Sequence, residues 1–139
     1  LLVAIILLSG TLFTGSTLAR EIEPVQPIAF TPSVQVYYFH LTRRCATCLA
    51  VESVTEAAIK ENFADAMAKG SITFQSVNLE EKANKSLVKK MKVSGQALLV
   101  VSGDERIDIT DKGFLYARNE PDRLKTVVKE TVEKMTHKK

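Results

Sequence analysis

Cys45 and Cys48 are the residues of this 139-residue sequence whose type and spacing point most directly to chemistry. They stand where an apolar, strand-like segment passes into a long segment with helical periodicity. At a helix N-terminus the unpaired amides and the helix dipole stabilise an anion, so the Cys45 thiolate is favoured. A thiolate attacks a disulfide sulfur, and a second thiol three residues on can resolve the mixed disulfide. The spacing therefore predicts thiol–disulfide redox chemistry.

Other roles for the same cysteine pair stay open on the sequence. A static disulfide would staple the start of the helix, and two thiolates could hold a soft ion such as Cu(I). A closed zinc site needs four ligands, and only His40 and His137 could join the two cysteines. No structural zinc site is therefore predicted.

Three charged or titratable side chains just before the pair are candidates for tuning its thiolate. Arg43 and Arg44 immediately precede Cys45 and would favour its anion, with exposed loop charge as the alternative role. His40 ends the preceding strand and is the nearest candidate for proton transfer. A packed, hydrogen-bonded histidine is the alternative there.

The apolar pattern predicts the strands and helices that must position the pair. Strands are expected over 34–41, 71–79, 97–102 and 106–110, and helices over 45–69, over 80–92 and from 121 to the end of the domain. The order β-α-β-α-β-β-α predicts one small α/β domain over 34–137. Strands separated by helices favour parallel pairing and the closing hairpin adds an antiparallel edge, so we expect a mixed four-stranded sheet.

The first 33 residues differ from the rest in composition. Residues 1–19 carry no charge and include twelve apolar residues, with small residues at Thr17 and Ala19. This pattern is typical of a secretory signal peptide whose basic start precedes Leu1. The apolar run breaks after eight residues, which is too short for a helix that spans a membrane. An uncleaved anchor is the alternative. Residues 20–33 hold three prolines and predict an extended leader. We therefore expect an exported protein, periplasmic or otherwise extracytoplasmic, where a disulfide can persist.

Composition also limits the partners. A net charge of +3 is too small to indicate a nucleic-acid surface, and two cysteines cannot build a disulfide framework. Nothing resembles a flavin or nicotinamide site, so no cofactor is expected. We expect a monomer whose partner is a protein thiol or disulfide, with membrane contact only through an uncleaved leader.

From about residue 34 to residue 137 the sequence resembles the thioredoxin-like family. The resemblance lies in the element order, in the C-x-x-C at the start of the first helix and in the apolar strand after a Val-x-Gly turn. The segment 37–48, Tyr-Tyr-Phe-His-Leu-Thr-Arg-Arg-Cys-Ala-Thr-Cys, is most similar to small secreted thioredoxin-like proteins labelled "nitrophenyl compound nitroreductase subunit". The resemblance implies a three-layer thioredoxin-like sandwich, with Cys45 attacking and Cys48 resolving.

Three positions depart from the family pattern. Arg44 stands where the family usually has Trp, and Phe39 where it often has a buried acidic residue. The third is the substrate-docking loop that faces the cysteines, represented here by Gly95, Gln96 and Ala97, which has no proline. We place Ala97 at the family's cis-proline position, with Gln96 as the alternative. We expect a trans peptide there, because a non-proline cis bond costs about 3–4 kcal/mol.

Overall fold

Four strands form one mixed sheet in the computed structural model, which describes residues 32–137. The strands are β1 (Val34–His40), β2 (Ile72–Asn78), β3 (Ala97–Ser102) and β4 (Glu105–Asp108), in the spatial order β2-β1-β3-β4. β1 pairs in parallel with β2 and antiparallel with β3, and β3 pairs antiparallel with β4. The predicted α/β class with a mixed four-stranded sheet is confirmed. The predicted signal peptide over 1–19 and all but the last two residues of the leader over 20–33 lie outside the described residues.

Within residues 32–137, four helices cover the faces of the sheet. They are α1 (Ala46–Ala68), α2 (Lys85–Lys90), α3 (Thr110–Tyr116) and α4 (Pro121–Thr136), and a short 3-10 turn over Lys82–Asn84 precedes α2. α1 packs along α4, and an ion pair between Glu61 and Lys125 links the two helices. No helix in this part of the chain is long and apolar enough to cross a membrane.

β1 is buried on both sides, as its unbroken apolar pattern predicts. Val36 and Tyr38 face the core that α1, α3 and α4 close, and Tyr37 and Phe39 face the core that α2 closes. A shift of one residue would exchange these two faces, so burial on both sides fixes the register of β1. β1 therefore holds its last residue, His40, and the loop that follows it in a defined place.

The direction of β3 differs from the expectation. Strands separated by helices were expected to be parallel, which holds for β1 and β2, but β3 runs antiparallel to β1. The predicted helix over 80–92 is divided into the 3-10 turn and α2, which has six residues. Such a helix is about 9 Å long, whereas a seven-residue strand is about 23 Å long. The rest of the connection is not helical, and β3 starts at the same end of the sheet at which β2 ends.

The prediction over 106–110 is wrong at its end, because the strand stops at Asp108 and an unpredicted helix, α3, follows. The alternation that continues to Ile109 favours a strand, but Thr110 turns the chain. Its N–H and its hydroxyl both donate to Asp108 Oδ1, at 2.9 and 2.5 Å. Thr110 Oγ1 also accepts the Leu98 N–H at 2.9 Å, which fixes the start of α3 beside the start of β3.

α3 lies close to α1 because a glycine stands at their contact. A Cβ on Gly113 would lie 3.2 Å from Leu98 Cδ2 and 3.3 Å from Val51 Cγ1, and both of those side chains are fully buried. Val51 lies three residues beyond Cys48, so α3 supports the part of α1 that carries the cysteines.

Candidate redox site

The cysteine pair lies at the start of α1, where the sequence predicts it. Cys45 is the N-cap in an extended conformation (φ −85°, ψ 166°). The two residues form a disulfide, with their Cα atoms 5.1 Å apart. The Cys48 N–H donates to Cys45 Sγ at 3.2 Å, so one of the unpaired amides of the first helical turn is directed at that sulfur. This amide and the helix dipole would both stabilise a negative charge on Cys45 Sγ.

The two cysteines differ in their exposure to solvent. Cys45 is exposed, whereas Cys48 is only 3% exposed and belongs to the core. In disulfide exchange the attacking sulfur approaches along the axis of the disulfide bond. The exposure of each sulfur to the partner therefore decides which of them reacts. Another protein can reach Cys45 without opening the core, while Cys48 can reach only its neighbour. This is the asymmetry that an attacking and a resolving cysteine require.

Hydrogen bonds hold the loop over 41–44, which leads from β1 to the cysteines. The Thr42 N–H donates to Glu80 Oε2 at 2.7 Å, and Asn78 Nδ2 donates to Thr42 Oγ1 at 2.9 Å. The Leu79 N–H donates to the carbonyl oxygen that precedes the loop, at 2.8 Å. Hydrogen bonding from the Thr42 side chain and N–H lowers the pKa of the Glu80 carboxyl, because these bonds favour its charged form. The loop is therefore anchored to the end of β2.

His40 and Arg44 contact each other at the end of β1. His40 is 5% exposed, and its Nδ1 lies 2.9 Å from the Leu41 carbonyl oxygen, which can only accept, so Nδ1 is the donor. His40 Nε2 lies 3.0 Å from Arg44 Nη2 and is the acceptor, because a guanidinium only donates. Arg44 Nη1 also forms an ion pair with Glu52 of α1. These contacts connect β1, the loop and α1 through side chains.

The predicted tuning residues thus have different surroundings. His40 and Arg44 are bonded to each other, and no hydrogen bond joins either of them to a cysteine within the described residues. Arg43 is exposed and makes no side-chain hydrogen bond or ion pair in that same part of the chain. Tuning of the thiolate by these three side chains stays a prediction. Sequence reasoning missed Glu52, because it stands eight residues after Arg44, outside the spacing of three or four by which helical ion pairs are recognised.

The predicted docking loop meets β1 near the cysteine end of that strand. Ala97 pairs with Phe39 across the sheet, and Tyr38 Oη donates to Gln96 Oε1 at 3.4 Å. Every peptide bond within residues 32–137 is trans, which confirms the expectation for Ala97. Burial raises the pKa of Tyr38. Gly95 is exposed, and it lines an open groove of about 420 Å³ together with Gln96 and Ala97, whose docking role stays a prediction.

The described residues offer few ligands for a metal. No group of three or more His, Cys, Asp or Glu side chains between residues 32 and 137 is arranged to hold a metal ion. The reduced cysteine pair could supply two sulfur ligands, which suit a soft ion such as Cu(I).

Comparisons with known proteins add little. No family model matches the sequence, and no curated protein matches it. One solved structure, described as the structure of a malarial protein, is similar over 56% of this chain and 82% of that chain, with 21% identity and a TM-score of 0.40. A likeness of this extent carries no inference about this chain. What the structure itself defines is an α/β protein with a C-x-x-C disulfide at a helix N-terminus, an arrangement compatible with redox function.

Proposed function

We propose that this protein is a thioredoxin-like thiol–disulfide oxidoreductase that acts on protein disulfides and dithiols outside the cytoplasm. The observation that carries the proposal is the unequal exposure of two bonded cysteines, with Cys45 exposed and Cys48 buried. A structural disulfide needs neither an exposed sulfur nor an amide directed at it. Exchange with another protein benefits from both.

The exchange has two steps, each of which forms one S–S bond and breaks one. In the reducing direction, the Cys45 thiolate attacks a partner disulfide, forms a mixed disulfide and expels the other partner sulfur as a thiolate. Cys48 then loses its proton and attacks Cys45 Sγ, which restores the Cys45–Cys48 disulfide and expels the second partner sulfur. The partner gains two electrons and two protons, one from Cys48 and one from water. In the oxidising direction the same steps run backwards from the disulfide that the structure holds.

The start of α1 favours Cys45 both as nucleophile and as leaving group. The Cys48 N–H and the helix dipole stabilise its anion, which favours the reduced pair and makes the disulfide more oxidising. Arg43 contributes an exposed positive charge two residues before Cys45. The loop that contains Gly95, Gln96 and Ala97 holds the backbone of the partner, with a trans peptide where the family has its cis-proline.

Sequence and fold support the family and the location. A mixed four-stranded sheet with C-x-x-C at the start of the first helix is compatible with a thioredoxin-like sandwich. The apolar and small residues over 1–19 support export, and oxidising compartments are where disulfides persist. The protein acts as a monomer on its protein partner and uses no cofactor.

Equilibration with glutathione tests the proposal. The purified chain is incubated in buffers of graded glutathione redox ratio, and its free thiols are alkylated and counted by mass spectrometry. The proposal predicts a reversible midpoint between about −270 and −120 mV, the range of known oxidoreductases. A pair that stays oxidised or reduced across this range contradicts it. Tight stoichiometric Cu(I) binding by the reduced chain, without exchange, would instead support a non-catalytic binding module or soft-metal carrier that uses the same cysteines.

A further inference from the structure

The ion pair between Arg44 and Glu52 differs from the other ion pairs of residues 32–137. Its side chains are 24% and 22% exposed, whereas each of the others includes a side chain that is at least 44% exposed. Arg44 also donates to the buried His40, so its guanidinium is held from two sides. Arg44 immediately precedes Cys45, and Glu52 lies two helical turns beyond it. A paired, half-buried charge therefore belongs to the residue that immediately precedes the exposed cysteine.

We propose that Glu52 is a positioning residue that sets the redox equilibrium of the cysteine pair, because it holds Arg44 against His40 and offsets its charge. This role rests on the proposed function. The inference goes beyond the proposed function because it assigns control of the redox equilibrium to a carboxylate that does not contact the cysteines.

Reduction places a new negative charge on the residue that follows Arg44. The disulfide takes up two electrons and one proton and becomes a Cys45 thiolate and a Cys48 thiol. A cation near the thiolate favours the reduced form, and an anion disfavours it. With Arg44 and Glu52 paired, their opposite charges largely cancel at the sulfur. Removing one member leaves a single charge whose sign depends on which member was removed.

The distance and the solvent set the size of the effect. Glu52 lies seven positions beyond Cys45, which is about 10 Å along the helix axis. Arg44 and Glu52 line an open polar groove of about 460 Å³, so water screens their charges. A unit charge under these conditions changes the redox equilibrium constant by about two- to fivefold, and less at high salt.

The other charged groups of the loop have surroundings that do not include Glu52. Arg43 is exposed, and the Glu80 carboxylate accepts the Thr42 N–H. The ring of His40 is buried and contacts Arg44 and the Leu41 carbonyl oxygen.

Four variants of the full chain test the role of Glu52 by its sign. Each is equilibrated with glutathione at about 0.02 M and about 0.5 M ionic strength. At low salt, Glu52→Gln is expected to shift the equilibrium toward the reduced pair by about two- to fivefold, and Arg44→Gln toward the disulfide by a similar factor. The double variant is expected to return close to wild type. Glu56→Gln is the matched control, because it removes the same charge from the same helix at an exposed pair with Lys60, and it is expected to leave the equilibrium unchanged.

Opposite signs distinguish this role from a structural one, since loss of packing would lower stability without moving the equilibrium in two directions. Shifts of the same sign, or a Glu52→Gln shift no larger than that of Glu56→Gln, would overturn the inference.

If Arg44→Gln does not fold, Glu52→Gln and its control Glu56→Gln still test the inference, because Gln matches Glu in shape. If the wild-type chain equilibrates with glutathione and Glu52→Gln has the same equilibrium constant, only the role of Glu52 is overturned. A wild-type chain that does not exchange overturns the proposed function, and the role of Glu52 with it.

Discussion

Reduction of the Cys45–Cys48 disulfide is expected to lower the free energy of unfolding by no more than about 1 kcal/mol. The bond closes a loop of only four residues, because its sequence separation is 3. For such a loop, the lost chain entropy of the unfolded state is worth about 2 kcal/mol at 25 °C. Reduction would cost this amount if nothing in the folded protein replaced it.

Two contacts at the start of α1 replace most of that amount once Cys45 is a thiolate. The helix dipole stabilises an exposed anion by about 0.3–1 kcal/mol. The Cys48 N–H already donates to Cys45 Sγ in the disulfide, and this bond becomes a charge-assisted N-cap bond in the thiolate, a gain of up to about 1 kcal/mol. The opposing contributions leave a net loss of about 0–1 kcal/mol. A folded pair that is almost as easily reduced as an unfolded one is suited to exchange and unsuited to a static staple.

Urea unfolding of the oxidised chain, the reduced chain and the Cys45→Ala variant measures these contributions. Cys45→Ala has neither the disulfide nor the thiolate, and alanine cannot cap the helix, so it is expected to lose at least about 2 kcal/mol. A thiol whose anion is favoured in the fold stabilises the protein above its unfolded-state pKa, and this contribution disappears as pH falls. The reduced chain is therefore expected to be more stable than Cys45→Ala at about pH 9 and to approach it at about pH 5. A loss of about 3 kcal/mol or more on reduction would refute this reasoning and support a structural disulfide.

Two further substitutions test the supports of the site. Gly113→Ala is expected to lower the free energy of unfolding, measured in urea, by about 1 kcal/mol. Its Cβ would press on two buried side chains, and such overpacking costs about 1–3 kcal/mol, whereas the gain in helix propensity is about 1 kcal/mol. A more stable variant would contradict the tight α1–α3 contact. Glu80→Gln is expected to flatten the loss of stability in acid. The lowered pKa of Glu80 means that its carboxylate stabilises the fold above the unfolded-state pKa and loses this effect as pH falls through the folded value. Unfolding at several pH values between about 3 and 5 measures the slope, and an unchanged slope would speak against the bond from Thr42.

Features with a local cause could be predicted from the sequence. The unbroken apolar pattern of β1 is sufficient to place it in the middle of the sheet, because both of its faces must be buried. The position of Cys45 at the start of α1 follows from the change in periodicity after residue 44. The trans peptide at Ala97 follows from the absence of proline.

The features that could not be predicted depend on contacts between distant segments. The start of α3 is fixed by the bond from the Leu98 N–H to Thr110 Oγ1, twelve positions apart, which a two-residue alternation does not register. The direction of β3 shows in its antiparallel pairing with β1, a contact between residues about 60 positions apart that a pattern along the chain does not register. The partners of Arg44 lie on β1 and α1, so its sequence position beside Cys45 suggests a free positive charge where the structure has a paired one.

Capture of a mixed disulfide tests most directly whether Cys45 exchanges with a protein disulfide. The Cys48→Ser variant is reduced, freed of reductant and mixed with a protein that carries an exposed disulfide, such as insulin. The products are separated without reductant and mapped by mass spectrometry. The account predicts a covalent adduct at Cys45 that reductant releases, no lasting adduct with the wild-type chain because Cys48 resolves it, and none with Cys45→Ser because Cys48 is buried. The absence of an adduct with Cys48→Ser, or an equally fast adduct through Cys48 in Cys45→Ser, would contradict it.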